Sequence, residues 1–358
     1  MIHCIVYKRR MQVMKRLFGA FGLFVLLAAG FAPTHAQDEP LKIVASFSIL
    51  ADVVKNIAGD SAEVVSLIPP DADPHAFQPA PQDVALLAEA DVIFINGANL
   101  EEGLLEVIEN AGEKMNLVVV SQCVPILPGV QDHTDGEAHN EVDMSEIAVL
   151  CEKHHEEIGE AETPNMLYAL DCGHEEESDD HGVCDPHVWT DPQNVILWTL
   201  FIRDALIQLD PGNADTYTAN AAVYIQQLDA LVKDEILPAL AAIPEENRVL
   251  VTNHESMGYF AAAYGFEIAG SVIPSSSTLA EPSAGDIARL IDVIEANDIK
   301  AIFAEVNVNA DLVQQVSDES GAEFYVLYHT LSNTDGPAST YLEMMRYNVQ
   351  TIVTALSK

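Results

Sequence analysis

The sequence predicts an α/β protein of two lobes, each a parallel-type sheet flanked by helices, joined by one long rigid helix. Three observations carry that expectation. From Leu41 onward, short apolar runs alternate with amphipathic segments, the pattern of a parallel sheet covered by helices. The alternation breaks once, over an acidic stretch at 131–184. It resumes after a helical pattern over 213–243 that is longer than most globular helices. The 358 residues suffice for two domains of ordinary size. The expected division is a leader at 1–36, a first lobe at 37–210, a linking helix at 211–243 and a second lobe at 244–358.

In the first lobe, strands are expected over 42–46, 63–68, 92–96 and 117–120. A helix over 49–58 should stop at Gly59, and Pro81 should open another through residue 90, since proline suits a first helical turn. The stretch 131–184 holds 17 acidic residues, one lysine and six histidines. It reads as a long, mobile surface insertion with a short helix around 145–158. A helix over 195–209 follows. The long helix carries Leu228, Leu231, Ile236 and Leu240 on an apolar stripe, and Pro238 should bend or end it. In the second lobe the strands fall at 249–252, 267–272, 301–303 and 324–327. Its helices fall at 257–264, 283–297, 310–321 and 337–356.

The N-terminus reads as a secretory signal. Five basic residues precede the apolar run 17–32, and Thr34-His35-Ala36 is a small-residue cleavage site. The run is short for a membrane span, although a retained anchor is the alternative. No cysteine follows it, which argues against lipid anchoring. The net charge of −40 repels nucleic acid and anionic lipid, so neither is expected as a partner; its plainest role is solubility. Export permits disulfides among Cys123, Cys151, Cys172 and Cys184, in any of three pairings.

Of twelve histidines, four stand at strand ends or connections of the two lobes: His75, His187, His254 and His329. Ligands collect at the carboxyl ends of strands in open α/β sheets. His75 and His187 each close an Asp-Pro-His triplet, Asp73-Pro74-His75 and Asp185-Pro186-His187, and a rigid proline fixes where each imidazole starts. Two histidines from each lobe would make a closed tetrahedral shell, which suits Zn2+ binding rather than hydrolysis. A strand-end histidine that merely satisfies hydrogen bonds is the ordinary alternative for any one of them. His254-Glu255 opens a zincin-like motif that fails at Gly258. The insertion's His133, His139, His154, His155, His174 and His181 form a second, looser constellation for accessory metal, or an acidic loop with incidental histidines.

These residues resemble a known family. Pro74-His75-Ala76-Phe77-Gln78-Pro79 is similar to the Pro-His-x-(Tyr/Phe)-x-Pro signature of ABC-transporter metal-binding proteins. Asp185-Pro186-His187-Val188-Trp189-Thr190-Asp191-Pro192 matches the family's second signature closely, and Asn253-His254-Glu255-Ser256-Met257-Gly258-Tyr259-Phe260 looks like its third. Glu281-Pro282-Ser283, Glu305 and the segment 341–348 complete the pattern. The family is the zinc/manganese solute-binding group of bacterial metal importers, and the resemblance covers 41–356 apart from the insertion. It implies a monomeric receptor, not an enzyme. Such a receptor captures Zn2+, with Mn2+ less favoured, outside the cytoplasmic membrane and delivers it to an ABC permease. Its first three ligands carry over to His75, His187 and His254; histidine at the third position usually goes with zinc.

The fourth position departs from the family's Thr-Asp-Ser-Leu-like turn. Here it reads Tyr328-His329-Thr330-Leu331, which puts His329 in register, with Asp335 or a water as alternatives. Glu255 and Glu305 are candidates to orient the ligating imidazoles. A secreted zinc buffer or chaperone could use the same site. A secreted metallohydrolase would need an open coordination position.

Overall fold

The computed structural model describes residues 40–104, 107, 116–127, 145–159, 184–306, 308 and 310–358. The expected leader and residues His133, His139, His174 and His181 lie outside them. Strands β1 (Leu41–Phe47), β2 (Ala62–Ile68), β3 (Val92–Ile95) and β4 (Leu117–Val119) form one sheet in the order β2-β1-β3-β4. Strands β5 (Val249–His254), β6 (Glu267–Ile273), β7 (Ala301–Glu305) and β8 (Glu323–Leu327) form the second, in the order β6-β5-β7-β8. Every pairing is parallel, and the two lobes share one plan. In each sheet the chain leaves the first strand in one direction and returns on its other side. The crevice therefore opens at the carboxyl ends of β1 and β3, and of β5 and β7.

The strands match expectation within one or two residues, and the helix Ser48–Ala58 stops at Gly59, whose φ of 55° ends it. Helix Tyr341–Leu356 starts four residues later than the pattern suggests. Residues 332–338 instead close a turn through Ser332 N to Ala338 O (2.9 Å), and Thr340 caps the helix by accepting from Glu343 N. The long helix runs Ala214–Ala230, passes through a π-helical turn at Leu231–Ile236 and ends at Leu237–Leu240. Pro238 lacks an N–H and crowds the carbonyl four residues earlier, and the widened turn just before it absorbs that conflict.

One apolar cluster runs through both lobes. It joins Phe47, Trp189 and Trp198 to Tyr224, Phe303 and Tyr341, all fully buried. Two smaller clusters cover the far faces of the sheets. Polar ties join the lobes as well: Leu331 N to Ser48 Oγ (3.0 Å), Tyr341 N to Asp52 Oδ2 (3.0 Å) and Tyr341 Oη to the Trp189 carbonyl (2.7 Å).

The expected short helix within the insertion is present at Ser145–Ile158; the rest of the insertion, 131–144 and 160–183, lies outside the described residues. A Cys123–Cys151 disulfide bolts the helix to the first lobe. Closing a loop of that length contributes ~3–4 kcal/mol in the chain-entropy view. Cys184 is disulfide-bonded too. Lys153 pairs with Asp204 and Arg203 with Glu157 across the contact between helices Ser145–Ile158 and Pro192–Leu209.

Candidate metal centre

The two Asp-Pro-His triplets fold alike. Proline has no N–H, so the first free donor after each aspartate belongs to the histidine. His75 N donates to Asp73 Oδ1 and His187 N to Asp185 Oδ1, both at 2.9 Å. Each triplet is thus an aspartate-closed turn that fixes the backbone of the imidazole it presents. His254 is the last residue of β5 and Glu305 the last of β7, so both stand at the second lobe's crevice.

His75, His187 and His254 converge and are almost wholly buried, at 4, 1 and 1% exposure. Nε2 of His187 lies 3.2 Å from Nε2 of His75 and 3.0 Å from Nε2 of His254. Nitrogens held ~2.0–2.1 Å from a tetrahedral centre lie about 3.3 Å apart, close to this spacing. Protons serve such a cluster poorly, since each close pair can share only one. A divalent cation would satisfy all three lone pairs at once.

The opposite ring nitrogens meet carboxylates. His187 Nδ1 is 2.8 Å from Asp185 Oδ1, His254 Nδ1 is 2.7 Å from Glu305 Oε1, and His75 Nδ1 is 3.5 Å from Glu102 Oε1. The His187 contact is a hydrogen bond; a carboxylate there holds the proton on Nδ1 and leaves Nε2 as the free base, the arrangement that serves metal ligation, whereas Nδ1 of His254 and of His75 face their carboxylates without hydrogen-bond geometry. His329 lines the same pocket, but its Nε2 stands 3.7 Å from Glu305 Oε1 and is not part of the converging trio. Glu305 therefore faces both His254 and His329, and it also accepts from Ser256 Oγ at 2.8 Å.

The charges follow from this packing. Burial pulls His187 well below the ordinary imidazole range, helped by His254, His75 and His329. Burial likewise lowers His329, against the pull of Glu305. Burial would lower His254 too, but the Glu305 carboxylate outweighs it and the net direction is up. Burial alone would raise Glu305; His254 and His329 reverse that and bring it to about 2. Asp185 is pushed up to about 7 by burial, against the His187 backbone donor.

The third sequence motif packs on the second. Tyr259 Oη donates to the Asp185 carbonyl (2.8 Å) and accepts from Leu127 N (3.0 Å). A Cβ on Gly258 would sit 2.6 Å from Asp185 Oδ2. The position that ends the zincin reading is thus one where a side chain would strike the carboxylate that orients His187. Behind the site, Glu101 is buried and accepts from Ser46 Oγ, Asn96 N and Gly97 N. Asn96 Nδ2 in turn donates to the Pro186 carbonyl at 3.0 Å, which fixes the second triplet from below. Burial raises the Glu101 carboxyl despite those donors.

Several expectations need correction. Asp335 is exposed on its turn and does not line the pocket, because the turn closed by Ser332 and Ala338 carries it away. Glu255 is not among the pocket-lining residues, but its charge acts on Asp185, the carboxylate beside His187, and its backbone N–H is tied to the Ser275 carbonyl. His154 and His155 are buried against the first lobe, not displayed on an acidic loop. His154 Nε2 lies 3.1 Å from Asp204 Oδ2, and His155 Nε2 lies 3.0 Å from the Cys123 carbonyl. Burial would raise Asp204, but His154, Arg203 and Lys153 hold it well below the usual carboxylate range. Asp185, Glu102, Glu101 and Asn96 were not among the residues expected to support the site. For Asp185 the signal was present, since an aspartate two residues before a histidine and separated by proline is a turn-closing pattern.

Residues 43–355 match the model of the family described as zinc-uptake complex component A, periplasmic. The chain is 33% identical over 353 residues to the manganese-binding lipoprotein MntA of Halalkalibacterium halodurans, covering 96% of this chain and 100% of that one. It is 30% identical over 353 residues to the iron ABC transporter substrate-binding lipoprotein MtsA of Streptococcus pyogenes, with 96% and 99% covered. Among solved structures it is similar to the periplasmic zinc-binding protein TroA of Treponema pallidum, with a TM-score of 0.69, 27% identity, and 89% and 100% covered. It is also similar to a Mn-bound periplasmic metal-binding protein of Candidatus Liberibacter asiaticus, with a TM-score of 0.65, 26% identity, and 88% and 99% covered.

Proposed function

We propose that this chain, which belongs to the zinc-uptake complex component A family, holds Zn2+ on His75, His187 and His254 and delivers it to the permease of an ABC importer. Membership makes it a metal-binding receptor of the solute-binding type and not an enzyme. The finer reading rests on one observation above all. Three buried imidazoles bring their ligand nitrogens together, with Nε2 of His187 at near-tetrahedral spacing from Nε2 of both His75 and His254, while each Nδ1 faces a carboxylate. In this reading the ion is cargo, and its positive charge draws the Asp185 carboxyl back to the ionised form. His329 completes the shell from the C-terminal lobe, with Glu305 as its competitor for the fourth bond. An all-nitrogen trio favours zinc over the harder Mn2+. The capture site lies outside the cytoplasmic membrane, consistent with the signal-like N-terminus, and the receptor works as a monomer.

A manganese-type receptor is the second reading, favoured by the name of the relative from Halalkalibacterium halodurans. Zinc outranks manganese at nearly any nitrogen site in vitro, so the test is metal content of protein recovered from its native compartment. Near-stoichiometric zinc is expected, and it should be lost in His187→Ala. Native protein loaded with manganese would sink the zinc reading while keeping the site.

A further inference from the structure

We propose that the Asp73–Thr278 hydrogen bond is a latch across the mouth of the metal pocket, setting how fast the ion enters and leaves. The inference rests on the reading that the pocket holds the metal. Thr278 Oγ1 donates to Asp73 Oδ2 at 2.6 Å, across 205 residues of sequence. Asp73 belongs to the first lobe and Thr278 to the loop after β6, and both line the pocket. Apart from the histidine contacts, it is the hydrogen bond among the described residues that joins pocket-lining side chains of the two lobes. Both partners are half-buried, above histidines that are almost wholly buried, and Leu279 beyond Thr278 is 49% exposed. The bond thus lies between the pocket and solvent.

The carboxylate of Asp73 divides its work. Oδ1 closes the turn that presents His75, while Oδ2 takes the threonine. Breaking the latch at Thr278 therefore leaves the His75 turn capped. The first-lobe side is pinned independently, because Asp71 N donates to the Leu331 carbonyl (2.9 Å) and Asp71 Oδ2 accepts from Asn333 N (3.3 Å). The other polar ties between the lobes, through Ser48, Asp52, Tyr341 and Tyr259, involve neither Asp73 nor Thr278. The aromatic cluster shared by the lobes restricts wide hinging. Exchange of a buried ion then has to go through a local opening, and the segment tied by Thr278 is placed to supply it.

The test is stopped-flow exchange of Zn2+ on the full chain, with release into excess chelator and capture from a zinc–indicator mixture. Thr278→Val keeps the shape and removes the donor. Release and capture should both quicken roughly tenfold, the factor that ~1.4 kcal/mol represents for one hydrogen bond to a charged group. The dissociation constant should stay within about twofold. Thr278→Ser restores the hydroxyl and should exchange at the wild-type rates. Three results would overturn the latch: unchanged rates in Thr278→Val, faster release with unchanged capture, or a serine variant as fast as the valine one. Wild-type protein that takes up no zinc at the histidines overturns the pocket reading and the latch together.

Discussion

Asp185 uses one oxygen twice, accepting from the backbone N–H of His187 and from its ring Nδ1. The first contact shapes the turn, and the second sets which ring nitrogen is left free for a ligand. Asp185→Asn separates them, because an amide oxygen can still close the turn but supplies no negative charge. Zinc affinity in this variant should fall about 10–100-fold, against a larger loss in His187→Ala; a competition titration with a chelator of known affinity measures both. An asparagine variant that binds as tightly as wild type would leave Asp185 a structural residue only. Proton competition gives a second check at this scale. Zinc binding should weaken as pH falls from 7.5 to 5, since protons and the ion seek the same nitrogens, and equal affinity at both would exclude the histidines. The imidazoles themselves were legible from strand ends and the repeated triplet. Of their carboxylate partners, Glu305 was among the expected candidates, but Glu102 was not, because it reaches the His75 ring only after distant segments have folded together and no local spacing encodes that.

At the scale of elements, strands were the most legible, because the central ones are short apolar runs buried on both faces. Helix ends were less so, as at Tyr341, where a turn-closing Ser332 overrides the helical pattern of the preceding residues. That same helix start rests on Asp52, whose Oδ2 accepts the Tyr341 N–H. Burial pushes Asp52 up to about 6, against the Tyr341 donor and Lys55. The folded state therefore binds a proton between the ordinary carboxylate value and about 6, where the unfolded state does not. Stability from this group is full below that window, declines as pH rises through it and stays lower above it. A shift of about two pKa units corresponds to ~3 kcal/mol at most. Asp52→Asn keeps an acceptor for Tyr341 and removes the ionisation. It should raise stability in urea by about 1–2 kcal/mol at pH 7 relative to its effect at pH 4. Equal effects at the two pH values would mean that Asp52 is not held protonated by the fold.

Over the whole molecule, the ion and the apolar core address the same boundary. Phe47, Trp189 and Tyr341 make the lobes one continuous core, while the imidazoles reach the pocket from both sides, His75 and His187 from one and His254 from the other. A cation held by all three adds a bond between lobes that the unfolded chain cannot form, so binding must stabilise the fold. At free zinc a hundredfold above the dissociation constant, the gain is about 2.7 kcal/mol, which for a chain of this size raises Tm by roughly 5 °C. Calorimetry with and without zinc measures it, and a chelator should return the transition to its starting point. The same experiment on His254→Ala discriminates between a site that spans the lobes and one confined to the first. Loss of nearly the whole shift is expected, because removing the second lobe's nitrogen leaves the ion bound to one side alone. A shift that survives in His254→Ala would place the stabilising metal elsewhere, and the lobes would then be joined by packing only.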